Sequence, residues 1–157
     1  MAKVLGPFDH LSDTQLNRIL NLWNSSYPVG INYADLGSFK VFLDPLAQMK
    51  HYIILSLENE INGWMMTFDR NEERWFSIII SDNAQGKGYG KTLIEHVLNE
   101  EPKLYGWVVD HDKDLKADGS PYPSPLDFYL KIGFKVVPQE RFEKPGISCV
   151  KVVSCGY

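Results

Sequence analysis

At 157 residues, 44% hydrophobic and 23% charged, the chain has the size and balance of one ordinary globular domain and none of the bias of a disordered one. A net charge of -4 excludes broad, sequence-independent nucleic-acid binding, which needs a net basic face. No stretch approaches the ~20 apolar residues of a membrane span, and the first nine residues hold no apolar run of signal-peptide length, so no membrane partner is expected.

Ser12 followed by Gln15 is a capping-box pattern, and Leu16, Ile19, Leu20 and Trp23 then recur at i, i+3, i+4 and i+7. Residues 12–24 are therefore predicted to form an amphipathic helix. A loop with Pro28 and Gly30 follows. Phe39, Phe42, Leu43 and Leu46 repeat the helical spacing, with Pro45 as its breaker. From His51 the period changes. Residues 51–58, 64–69 and 74–81 read as three strands of an antiparallel meander, with a turn over 60–63. The Ile78-Ile79-Ile80 run does not alternate, so that strand should be central and covered on both faces.

Residues 83–90 form a glycine-rich turn. After it, Leu93, Ile94, Val97 and Leu98 mark one face of a helix that Pro102 closes. A strand over 104–110 and a polar loop over 112–123 come next. Ser124 as N-cap and Pro125 at the first helical position then open a short helix that stops at Gly133. Strands over 134–137 and 147–153 end the chain. Cys149 and Cys155 lie in that last extended segment, roughly 20 Å apart at ~3.3 Å per residue, beyond disulfide reach. They are expected to be free structural thiols of a reduced, cytoplasmic protein.

The most informative stretch is the apolar strand, glycine turn and helix from Ile78 to Leu93. Glycines let the backbone approach a ligand closely, and the unpaired N–H groups of a helix's first turn favour an anion. Lys87 and Lys91 add positive charge at the same place. Three phosphate loops fit this outline, and spacing separates them. A Walker A loop ending in Gly90-Lys91-Thr92 needs glycine where Gln85 stands; a dinucleotide fingerprint starting at Gly86 needs glycine where Lys91 stands. The pattern Gln/Arg-x-x-Gly-x-Gly/Ala is filled by Gln85, Gly88 and Gly90.

Here the chain resembles the GNAT superfamily of N-acetyltransferases, whose acetyl-CoA pyrophosphate loop has that pattern. A second segment, Phe128-Tyr129-Leu130-Lys131-Ile132-Gly133-Phe134, is similar to the family's Phe-Tyr-x-x-x-Gly-Phe signature about forty residues on. The resemblance covers roughly residues 50–137 and implies a mixed α/β fold. Its sheet is mostly antiparallel with six or seven strands, splayed between the fourth and fifth, and flanked by about four helices. It also implies one domain over 1–157, acetyl-CoA as cosubstrate without a metal, and transfer to a primary amine of a small molecule or a protein. C-terminal strands often build dimers in this family, so a homodimer belongs to the same expectation.

By that resemblance the backbone of Ile78 and Ile80 pairs with the pantetheine arm, and Gln85, Gly86, Lys87, Gly88, Tyr89, Gly90 and Lys91 cradle the pyrophosphate. Tyr129 takes the general-acid position; a phenol of ordinary pKa about 10 is protonated at neutral pH and can donate. The plainer alternative is that Tyr129 packs its ring and bonds a backbone group. Many relatives carry a base in the strand before the loop, yet residues 75–81 contain no carboxylate. Asp110 and His111 are the nearest substitutes, with idle loop residues or a water chain as open alternatives. Tyr122 stands where relatives often place an Asn, and Ser124 is a candidate substitute. Tyr27 and Tyr33, in the loop that borders the family's acceptor site, are candidate substrate contacts.

Residues 110–121 imitate a calcium loop but place Leu115 and Pro121 where glycine and glutamate belong, and the four histidines show no metal-ligand spacing. The acidic surface would suit a cationic acceptor such as a polyamine. Two rivals remain: a non-catalytic acetyl-CoA-binding protein of the same fold, and a P-loop nucleotide-binding domain.

Overall fold

The computed structural model describes residues 3–154. Seven strands are β1 (Val4–Phe8), β2 (Ala47–Leu55), β3 (Ile61–Arg70), β4 (Glu73–Ile80), β5 (Tyr105–Val109), β6 (Phe134–Lys144) and β7 (Ile147–Ser154). They form one sheet in the order β1-β2-β3-β4-β5-β7-β6. Four helices flank it: α1 (Asp13–Ser26), α2 (Leu36–Leu43), α3 (Tyr89–Glu100) and α4 (Leu126–Lys131). Neighbouring strands are antiparallel except β4 and β5, so the expected mixed α/β architecture is the one observed.

Side-chain alternation along β2, β3 and β4 divides the core between the two faces of the sheet. Ile53, Trp64, Met66, Trp75 and Ile79 pack with the apolar stripe of α1 and with Phe39 and Leu43 of α2. Tyr52, Ile54, Met65 and Phe76 pack instead with Leu93, Ile94, Val97 and Leu98 of α3. The central strand β4 is thus covered on both sides, as its unbroken isoleucine run requires. α1 starts on the complete Ser12–Gln15 capping box. α2 starts on Asp35, whose side chain accepts from the Ser38 N–H, and ends before Pro45.

Three expectations are corrected. The chain opens with a strand rather than a helix: Val4–Phe8 pairs with β2, although Gly6 and Pro7 give it the look of a turn. β6 runs to Lys144 rather than stopping at Val137, with an irregularity between Val137 and Arg141 that takes in Pro138. Both are edge strands, where a proline costs no ladder hydrogen bond that a neighbour needs. α4 begins at Leu126 with Pro125 as its flanking residue, one position later than expected, while the Ser124 hydroxyl still accepts from the Leu126 N–H. Cys149 is buried and free; Cys155 lies outside the described residues.

The feature that creates a site is the parallel pair. β4 and β5 share a single register position, Trp75 with Tyr105, and then part. From Phe76 to Ile80 the β4 backbone is paired with β3 alone, leaving an open edge above α3 and α4.

Candidate active site

Along the freed end of β4 opens a cleft of about 720 Å3 floored by Ile78–Ile80, the glycine turn and α4. A strand edge stripped of its neighbour must find other hydrogen-bond partners. Two side chains supply them. The Tyr27 hydroxyl donates to the Ile78 carbonyl at 2.9 Å, and Gln85 Nε2 donates to the Ile80 carbonyl at 3.3 Å.

Gly86 and Gly88 both hold φ of +80, and a Cβ on either would meet nothing within 4 Å. Backbone conformation, not crowding, therefore asks for glycine here. Gly88 is the N-cap of α3 and provides no side-chain cap, so the first-turn N–H groups from Tyr89 to Lys91 face the cleft uncapped at the positive end of the helix dipole. Lys91, Lys116 and Lys131 line the same cleft, and no carboxylate does. Lys87 is exposed and outside this lining.

A second cavity, of about 520 Å3, opens on the α1 side of the sheet and is walled by Trp23, Phe42, Phe68, Trp75, Trp107 and Phe142. It meets the first at Tyr27, Ile78, Tyr122, Pro125 and Tyr129. Three phenols thus converge where two clefts join. Burial raises the pKa of each well above the ordinary phenol value, with neighbouring phenols adding to the effect at Tyr27 and Tyr129. All three are protonated at neutral pH.

Tyr129 is set by its surroundings. Its ring packs edge-on to Phe134 at 5.5 Å and against Phe76 at 5.8 Å. Its hydroxyl has no hydrogen-bond partner among the described residues. Ser124 fastens the start of α4 to the end of β5: its hydroxyl donates to the Val109 carbonyl, and its N–H donates to Asp112.

Residues 48–136, more than half of the chain, match the family model described as the Acetyltransferase (GNAT) domain. The chain belongs to the GNAT acetyltransferase family. Solved structures agree over nearly the whole length. A protein provisionally described as a phosphinothricin N-acetyltransferase superposes with a TM-score of 0.71 at 16% identity, covering 98% of both chains. A phosphinothricin acetyltransferase from Sinorhizobium meliloti, solved in complex with AcCoA, gives 0.66 at 12% identity, with 97% of this chain and 86% of that one covered. A spermidine/spermine N-acetyltransferase from Vibrio cholerae gives 0.63 at 19%, covering 97% and 91%. At such identities the likeness establishes the fold. No curated protein is a significant sequence match.

Within this GNAT domain the remaining candidates fall in different places. Tyr33 lines the second cavity, stacked on Phe42 at 5.3 Å, and its backbone is clasped by the Asn24 side chain on both its N–H and its carbonyl. Asp110 and His111 line neither cleft. Asp110 makes a two-pronged ion pair with Arg141 at 2.9 and 3.0 Å, which holds its carboxyl below the ordinary range and leaves it a weak base. His111 Nδ1 accepts from the Lys113 N–H. Lys116 and Lys131 in the first cleft, and Arg70 and Lys144 in the second, carry no motif of their own; only the folded chain brings them to the site. Among the described residues no group of three or more His, Cys, Asp or Glu side chains could hold a metal.

Proposed function

We propose that this GNAT domain is an acetyl-CoA-dependent N-acetyltransferase, with the donor in the cleft along the freed end of β4 and a primary amine in the aromatic cavity. The observation that carries this reading is the junction of the two clefts at Tyr129. A thioester arm along the β4 edge would share the Ile78 and Ile80 backbone with Tyr27 and Gln85. The turn from Gln85 to Lys91, with its uncapped amides, would hold the pyrophosphate, and Lys116 and Lys131 would add charge for the phosphates.

Acetyl-CoA supplies an acyl group activated as a thioester; the chain supplies alignment and protons. The Tyr129 hydroxyl, which has no hydrogen-bond partner among the described residues, would donate a proton as thiolate charge develops. No carboxylate is needed to deprotonate the amine. The aromatic cavity has none in its lining but does have Arg70 and Lys144, and both desolvation and neighbouring cations favour a neutral amine over an ammonium.

The same absence of a carboxylate supports a second reading, a protein of this fold that binds acetyl-CoA without turnover. Calorimetry with acetyl-CoA followed by CoA release over an amine panel separates the two. Binding with turnover of at least one amine is expected. Binding without turnover favours the second reading, and no heat at millimolar acetyl-CoA overturns both.

A further inference from the structure

The charges around the aromatic cavity are unevenly satisfied. Elsewhere on the sheet, buried and half-buried cations are matched by carboxylates. Arg74 pairs with Asp69 and Glu101, and Lys151 with Glu73 and Glu140. Arg70, which is half-buried, and Lys144, which is exposed at the rim, both line the cavity, and neither side chain has an ion pair or hydrogen bond among the described residues. Each instead lies against aromatic rings: the Arg70 guanidinium 5.0 Å from the Phe68 centroid and 5.7 Å from that of Trp75, the Lys144 ammonium 5.2 Å from that of Phe142. Burial lowers the pKa of Arg70, as expected of a cation that has lost water without gaining a counter-ion.

Two neutral groups are also unmatched. Trp75 is 3% exposed, and among the described residues its indole N–H has no acceptor; the Asn32 side-chain oxygen is buried and has no donor among them. Both residues line this cavity. Buried polar atoms are ordinarily paired, so one unpaired donor, one unpaired acceptor and a half-buried cation without a counter-ion, with a second cation at the rim of the same aromatic pocket, describe the complement of a ligand.

We infer that the acceptor is an amine with a flat apolar body and a carboxylate or similar anionic group, an aromatic amino acid being the simplest example. The rings of Trp75, Trp107 and Phe142 would take the body. Arg70, Lys144 and the Trp75 N–H would take the anion, and the Asn32 oxygen would take an N–H. A polyamine is the opposite of this pattern. It would bring several positive charges into a cavity that already holds two cations and is lined by no carboxylate, so the acidic net charge of the whole surface is a poor guide to the acceptor.

This inference rests on the transferase reading above, and one set of experiments tests the two separately. CoA release at saturating acetyl-CoA is measured with phenylalanine, with phenethylamine, which lacks only the carboxylate, and with spermidine. The kcat/KM for phenylalanine should exceed that for phenethylamine by roughly ten- to hundred-fold, the worth of one charge-assisted hydrogen bond. Arg70→Gln and Lys144→Gln should each pull that ratio towards one. Equal or better use of phenethylamine or spermidine, or a ratio unmoved in both variants, overturns the inference while leaving the transferase reading intact. Quenching of the tryptophan fluorescence of the acetyl-CoA-loaded protein reads occupancy without turnover. Carboxylate-dependent quenching with no CoA released from any amine supports the ligand class and removes the transferase.

Discussion

Replacing Tyr129 by Phe deletes one hydroxyl and nothing else. The ring contacts with Phe76 and Phe134 at 5.8 and 5.5 Å are apolar and remain. Among the described residues the hydroxyl has no partner to orphan. Folding stability should therefore change by no more than about 0.5 kcal/mol, the ordinary range for a substitution that breaks no interaction. If the phenol protonates the departing thiolate, turnover should fall by about 10²- to 10⁴-fold, or roughly 3–5 kcal/mol of barrier. Acetyl-CoA affinity should stay within about two-fold, because uniform binding is untouched. Urea denaturation, calorimetry and steady-state CoA release measure the three quantities. The phenol's raised pKa adds a pH signature. A general acid must be protonated, so the wild-type rate should hold past the ordinary phenol pKa of about 10 until another group fails. Turnover that survives in the Phe variant would remove Tyr129 from the chemistry, and a stability loss above about 2 kcal/mol would show that the hydroxyl is structural.

Further outcomes follow from other positions. His51 is 3% exposed, its Nδ1 accepts the Trp64 indole N–H at 3.1 Å, and burial, with a smaller contribution from His10, lowers its pKa from 6.5 to about 4. A depressed histidine pKa gives stability that is complete above the unfolded value and is lost as pH falls from 6.5 towards 4. Between pH 7.5 and 5.0 this group should cost about 2 kcal/mol in urea denaturation. His51→Asn, which keeps an acceptor for Trp64 but does not titrate, should lose that much less; parallel pH profiles would refute the assignment. Gly88→Ala forces an L side chain to φ +80, which costs about 1–2 kcal/mol or shifts the turn; acetyl-CoA affinity by calorimetry should drop about ten-fold, and an unchanged affinity would detach the turn from the donor. Gly30→Ala would set a Cβ 2.4 Å from the Gly146 carbonyl oxygen, backbone against backbone. The α1–α2 loop must then part from the β6–β7 turn at about 1–3 kcal/mol, raising the KM for the amine while leaving acetyl-CoA affinity unchanged.

The parts of this protein set by short-range rules were readable along the chain. The α1 stripe, the capping box, the meander ending in an unbroken isoleucine run and the glycine turn at the start of α3 all depend on residues within a few positions of one another. The same short range explains the errors: Gly6-Pro7 and Pro138 forbid a central strand but not an edge one, and only the finished sheet says which strands are edges. What the tertiary structure alone decided is the composition of the site. Tyr27 reaches the Ile78 carbonyl from 51 positions away, Tyr122 joins it across the mouth of the splay, and Lys116 and Lys131 arrive from a loop and from α4. Whether an arginine is neutralised likewise depends on which carboxylates the fold brings beside it; Arg74 receives two and Arg70 none among the described residues, though they stand four positions apart. Charge compensation acts through space over a few ångströms, and distance along the chain does not encode it.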